Sequence, residues 1–138
     1  MPPVLHVMPQ DVDTNEKRQK YSVAVVGCGH KGIFYANAFA EAGFNIICTD
    51  ADASVIKKVA KGRTAFANPE AETELKRHIR TERISVVSEL KKAVSQSDIV
   101  VIAITAKVDE QKKNDYTGLV NTCKQVGAAL HQGALVIY

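Results

Sequence analysis

The sequence has 138 residues, 46% apolar and 24% charged, a length and balance that suit one globular domain and exclude a multidomain chain. Eighteen basic against fifteen acidic residues leave a net charge of +3, scattered in short clusters such as Lys17-Arg18 and Lys112-Lys113. With 6% aromatics and no Trp, that scatter excludes the dense basic, aromatic-studded face of a nucleic-acid binder.

Three of the four prolines fall within residues 1–20, followed by a polar run from Asp11 to Lys20, and this segment reads as a flexible N-terminal arm ahead of one domain over 21–138. Ser22 to Val26 is a β-branched run ending in Gly27, the signature of a strand buried on both faces. Helical spacing follows: Phe34, Ala38 and Ala42 with Ile33, Ala36 and Ala40 form an apolar stripe, and Gly43 stands where a helix ends. Asn45 to Thr49 reads as a second strand closed by Asp50. Two helices are expected next, one from Asp52 to Lys61 and one opening at Asn68-Pro69-Glu70, where proline suits a first turn and acidic residues suit the helix dipole. Arg83 to Val87 is a weaker strand, and Ser88 is placed to cap a short helix through Ser95. Asp98 to Ile104 is the most apolar strand, Tyr116 to Leu130 a helix, and Ala134 to Tyr138 a final strand with nothing after it, which reads as a chain that continues beyond this sequence. Alternating strands and helices predict an α/β fold, a doubly wound parallel sheet of order 3-2-1-4-5 with helices on both faces.

The longest apolar run, Ile99 to Ile104, is far short of the ~18 residues a membrane span needs, and the N-terminus lacks a signal-peptide pattern. Cys28, Cys48 and Cys123 are odd in number, without CxxC or metal-ligand spacing. They read as free thiols in a reducing, cytoplasmic setting, and no metal site is expected.

Gly27-Cys28-Gly29-His30-Lys31-Gly32 is a GxGxxG run in a telling context: it leaves a buried strand, opens a helix, and is followed 18 residues after Gly32 by Asp50 at the end of the next strand. Gly27 permits the turn, Gly29 lets the backbone approach a pyrophosphate, and Gly32 lets helix and strand pack closely. Helix N–H groups then face the phosphates, and a carboxylate at Asp50 accepts the two hydroxyls of the adenine ribose while repelling a 2′-phosphate. With no arginine between Asp50 and Gly62, NAD is favoured over NADP. Cys28, His30 and Lys31 complete the loop; the two last either cover the phosphates or face water, and Cys28 has no partner for nucleophilic catalysis. Thr105, with Ile104 beside it, stands at the carboxyl end of the fourth strand near the switch point, a candidate for the nicotinamide half or simply strand-end packing. His6, His78 and His131 read as isolated and exposed, and Lys107 to Asp115 as a solvated loop.

Taken together, VAVVGCGHKGIFYANAFAEAGFNIICTDAD, KGRTAFANPEAETELKRHI, AVSQSDIVVIAIT, DYTGLVNT and ALVIY resemble the N-terminal domain of the UDP-sugar dehydrogenases, those acting on UDP-glucose or UDP-N-acetylmannosamine, and most the archaeal branch. The long two-helix insertion before the third strand distinguishes them from other hydroxyacid dehydrogenases. The resemblance implies an oxidoreductase that passes two hydrides from the sugar C6 alcohol to NAD, through a thiohemiacetal on a cysteine, for polysaccharide or glycan precursor synthesis. It implies Gly27, Gly29 and Gly32 at the pyrophosphate, Asp50 at the ribose, Ser88 at the adenine edge, and Thr105 or its neighbours near the nicotinamide. It also implies that the catalytic cysteine, lysine, asparagine and glutamate lie beyond Tyr138, so this chain binds NAD without turnover, and that the longer enzyme is a homodimer. Two departures stand out: His30 replaces an aromatic, and Ile104-Thr105-Ala106-Lys107 replaces a Val-Pro-Thr-Pro turn. The alternatives are an NAD- or ATP-sensing regulatory domain and the cofactor domain of a β-hydroxyacid dehydrogenase.

Overall fold

Val23 to Val26 and Ile99 to Ile102 are buried without a break, as strands covered on both faces must be. The computed structural model describes residues 7–104, 107–108 and 110–138. Its main sheet contains β1 (Ser22–Val26), β2 (Asn45–Thr49), β3 (Ile84–Val86), β4 (Ile99–Ile102) and β7 (Leu135–Ile137), all parallel in the order β3-β2-β1-β4-β7. Counting the strands of this sheet alone, that is the expected 3-2-1-4-5.

Helix α2 (His30–Glu41) joins β1 to β2, while α3 (Ala53–Ala60) and α4 (Pro69–Arg80) join β2 to β3. These three cover one face, where Ile33, Ala36, Ala40, Val59 and Leu75 pack on Val23, Val25, Ile46, Cys48 and Ile84. Helices α5 (Leu90–Ser95) and α6 (Thr117–Ala129) cover the other, with Ala93, Val94 and Val126 on Ala24, Val26, Val100 and Ile102. The period-two alternation of strand side chains divides the two cores.

Local chemistry starts and stops these helices. The Asp52 carboxylate accepts the Ser54 N–H at 2.8 Å to begin α3, and Asn68 accepts the N–H groups of Glu70 and Ala71 at 3.1 and 3.2 Å to begin α4, with Pro69 in its first turn. Gly43 and Gly62, at φ of 112° and 76°, turn the chain out of α2 and α3.

Several expectations need correction. Ser88 does not cap α5, whose N-cap is Glu89 with no side-chain bond. Within residues 7–20, a 3-10 turn (Pro9–Asp11) and helix α1 (Asn15–Arg18) pack on the domain, with Val7 in the core and the Arg18 guanidinium donating to the Val12 and Ala42 carbonyls. Low hydropathy conceals these few anchoring contacts. On α2 the buried face is Ile33, Ala36, Asn37 and Ala40, whereas Phe34 is 65% exposed and Ala38 also faces outward. The stripe expected from spacing is too wide, because an i, i+3, i+4, i+7 face is enough to seat the helix. The expected solvated loop contains a two-stranded antiparallel ladder, β5 (Lys107–Val108) with β6 (Asn114–Asp115).

Candidate functional site

The parallel register brings strand ends to one level, because Val26 lies opposite both Thr49 of β2 and Ile102 of β4. Gly27, Asp50 and Ala103, each one residue further on, therefore stand side by side on the carboxyl edge of the sheet. The edge is locked by backbone bonds: the Gly27 N–H donates to the Thr49 carbonyl at 2.9 Å and the Ala103 N–H to that of Val26 at 2.8 Å.

The three glycines of the loop meet different physical demands. Gly27 has φ 101°, and a Cβ there would press on the Ala103 carbonyl and the Ile104 side chain, each at 2.9 Å. A Cβ on Gly32 would collide with the Gly27 carbonyl oxygen, so this glycine lets α2 start directly against the strand it follows. Gly29, the N-cap of α2, is different: its φ of −77° is open to any residue, and among the described residues no atom other than those of its chain neighbours lies within 4 Å of the place a Cβ would take. Beyond the mild preference for glycine at an N-cap, neither backbone angle nor packing among the described residues demands it there. Past it the first helical bond runs from Ile33 N–H to the Gly29 carbonyl at 3.0 Å, which leaves the N–H groups of His30, Lys31 and Gly32 without a helical acceptor and the positive end of the dipole over the loop. An open glycine beside amides that lack a helical acceptor leaves the start of α2 able to receive an anionic group.

Asp50 faces this cradle. One carboxylate oxygen accepts the Cys28 N–H at 2.7 Å and the other the Asp52 N–H at 2.9 Å, so the acid is held against the loop with further lone pairs for a ribose diol. Cys28 is fully buried beneath the loop, its thiol 3.4 Å from the Thr49 carbonyl; a hydrogen bond with Cys48, burial and the nearby charge of Asp50 all push its pKa upward. It remains a protonated, inert thiol. Cys28 and Cys48 are both buried free thiols and Cys123 is an exposed one, as expected of the sequence.

The remaining expected residues scatter around this centre. Cys48 lies opposite Val86, which puts exposed Ser88 level with Asp50 one strand outward. Ile104 is partly buried and packs against Gly27. Thr105 lies outside the described residues, as does His6. Lys31 is exposed on the β4 side of α2, with Tyr35 and Ala103, whereas His30 leans the other way and stacks on Phe66, ring centroids 4.8 Å apart. Sequence reasoning misses that stack, since Phe66 is a lone aromatic in a loop with no periodic signal.

Two histidines depart from the expected exposure. His78 is 5% exposed on α4; burial lowers its pKa first, Arg77 adds to that, and the Glu41 carboxylate 3.4 Å from Nε2 opposes it. His131 is partly buried, with Nε2 2.7 Å from the Ser97 carbonyl and Nδ1 3.1 Å from that of Gln132. Among the described residues no cluster of His, Cys, Asp and Glu forms a metal site, and no helix is long and apolar enough to cross a membrane.

Residues 21–138 match the family model of the UDP-glucose/GDP-mannose dehydrogenase family, NAD binding domain. The chain is 24% identical over 115 residues to UDP-glucose 6-dehydrogenase of Pseudomonas aeruginosa, covering 83% of this chain and 25% of that protein. It is 26% identical to UDP-N-acetyl-D-mannosamine dehydrogenase of Pyrococcus horikoshii, over 83% of this chain and 27% of the relative. A solved structure of UDP-D-ManNAc dehydrogenase from Pyrococcus horikoshii superposes with a TM-score of 0.76 at 25% identity, covering 83% of this chain and 27% of that one. The chain thus spans about a quarter of the length of the curated relatives it matches.

Proposed function

Because this chain belongs to the UDP-glucose/GDP-mannose dehydrogenase family, as its NAD-binding domain, we propose that NAD lies along the carboxyl edge of the sheet with its pyrophosphate on Gly27, Gly29 and the free amides that open α2. Asp50 receives the adenosine ribose, Ser88 flanks the adenine side, and Ile104 with Thr105 leads toward the nicotinamide. His30 and Lys31 border the phosphates on opposite sides of the helix. When bound, NAD supplies the hydride acceptor; the chain's own part is to bind it, orient it and select it against NADP. The observation that carries this reading is Gly29, a glycine that neither backbone conformation nor packing demands.

In the protein it serves, this domain takes part in oxidising the C6 alcohol of a nucleotide sugar, UDP-glucose or UDP-N-acetylmannosamine, to the uronate, using two NAD per sugar and feeding polysaccharide precursor synthesis. The names of the relatives and their fourfold greater length support that assignment and with it catalytic residues outside this chain; the longer enzyme is a homodimer in the same proposal. Free thiols at Cys28, Cys48 and Cys123 support a cytoplasmic setting. Membership of the dehydrogenase family favours this over a sensory domain or a β-hydroxyacid dehydrogenase.

Calorimetric titration tests it. NAD is expected to bind, NADP at least about tenfold more weakly through repulsion of its 2′-phosphate by Asp50, and Asp50→Asn to narrow that preference. A folded chain that binds no NAD at millimolar concentration refutes the proposal.

A further inference from the structure

The segment before α4 brings an aromatic ring to the start of α2, and its own bonds fix it in place. Thr64 is 5% exposed; its N–H and hydroxyl both donate to one carboxylate oxygen of Glu72, at 3.0 and 3.2 Å, and its Oγ1 accepts the Asn68 N–H at 3.2 Å. Between them Ala67 adopts φ 51°, a left-handed conformation unfavourable for an L-residue. Phe66, half-buried and packed on the core, is thereby presented to α2.

There it meets His30, the first residue of that helix. The two rings lie 4.8 Å apart with planes 27° from parallel, so one face of the imidazole is covered and its edge stays open. Neither ring nitrogen has a hydrogen-bond partner among the described residues, and the residue is exposed. Its backbone N–H is one of the three that lack a helical acceptor. A phosphate that accepts this N–H lies within a side-chain length of the imidazole edge, whose plane Phe66 fixes before any ligand arrives. Such pre-ordering lowers the entropy lost on contact, and the phenyl face suits an imidazolium as well as a neutral ring.

We propose that His30 donates a ring N–H to the pyrophosphate of NAD and that Phe66 is its positioning residue, which makes the insertion before β3 part of the cofactor site. This rests on the reading of the glycine loop as the pyrophosphate cradle. The charged groups around the ring are Lys31 beside it, Glu41 further along α2, Glu70 and Glu74 on α4, and Asp50 across the loop at the end of β2. All are common to the chains compared below, so a difference between chains reports the ring itself.

The test is calorimetric NAD titration between about pH 8 and about pH 6 on the native chain and on His30→Phe, Phe66→Leu and Phe66→Tyr. Native affinity is expected to rise about three- to tenfold as pH falls, because a protonated imidazole is the stronger donor to a phosphate. His30→Phe keeps a ring on Phe66 but lacks the nitrogens, and is expected to lose that rise. Phe66→Leu keeps the apolar contact with the core, and is expected to bind NAD about two- to fivefold more weakly at the lower pH with a flattened profile; Phe66→Tyr restores both. The proposal is overturned if His30→Phe keeps the native rise, or if Phe66→Leu binds with native affinity and profile. A folded native chain that binds no NAD at either pH refutes the cradle reading instead, so the two failures are told apart.

Discussion

Gly29 and Gly32 are three residues apart in one turn and stand in opposite steric surroundings. The carbonyl of Gly27 excludes any side chain from Gly32, whereas among the described residues the space around Gly29 is open. Gly32→Ala is therefore expected to damage the fold, by about 1–3 kcal/mol or more as an overpacked backbone contact, with a matching loss of melting temperature. Gly29→Val is expected to leave the melting temperature within a few degrees, because only N-cap preference changes, yet to abolish NAD binding by filling the approach to the pyrophosphate. Thermal melts paired with NAD titrations separate the two; a Gly29→Val chain that still binds NAD normally would show that the loop is not the phosphate cradle. Cys28 illustrates the converse, a nucleophile type in the glycine loop that a hydrogen bond with Cys48 and burial keep protonated.

Among the elements, the turn between α6 and β7 depends on His131. Its two ring nitrogens face two carbonyl oxygens, those of Gln132 and Ser97, and both contacts are hydrogen bonds only if both nitrogens carry protons. These bonds, that to Gln132 first, raise its pKa above the ordinary 6.5. A raised folded-state pKa contributes stability that is complete below the ordinary value and disappears as pH rises through the raised one. Urea unfolding of the native chain is thus expected to show a loss of stability across that window which His131→Gln removes. Identical pH profiles for the two chains would contradict the assignment. The cap of α3 on the opposite face runs the other way: bonds from Ser54 lower the pKa of Asp52, so what it contributes is present near neutrality and is lost only as pH falls into the acid range.

For the molecule as a whole, NAD in the proposed pose bridges residues from β1, β2 and β4, so its binding is linked to global unfolding. At 100 times its dissociation constant it is expected to add about 2.7 kcal/mol, a rise of several degrees in melting temperature. NADP at the same concentration is expected to add less, and scanning calorimetry with no NAD-dependent shift would count against the edge as the binding site.

How much of this is legible in the sequence follows from the range of each signal. β1, the glycine loop, Asp50 and the two capped helices before β3 are written in contiguous residues: periodicity, turn chemistry and spacing act over a few positions and need no tertiary context. Strand order is readable too, because crossover rules leave few ways to wind such a sheet. Packing direction is not. That Phe34 faces out and Asn37 in, that His78 is buried, and that residues 7–20 dock on the domain depend on which neighbour each side chain meets, information spread over distant segments. The stack of His30 on Phe66 joins distant positions and has no local trace. The sequence by itself determined that a dinucleotide fingerprint opens the domain. Tertiary structure alone decided that the fold forbids a side chain at Gly32 and not at Gly29, since steric conflict exists only between atoms already brought together.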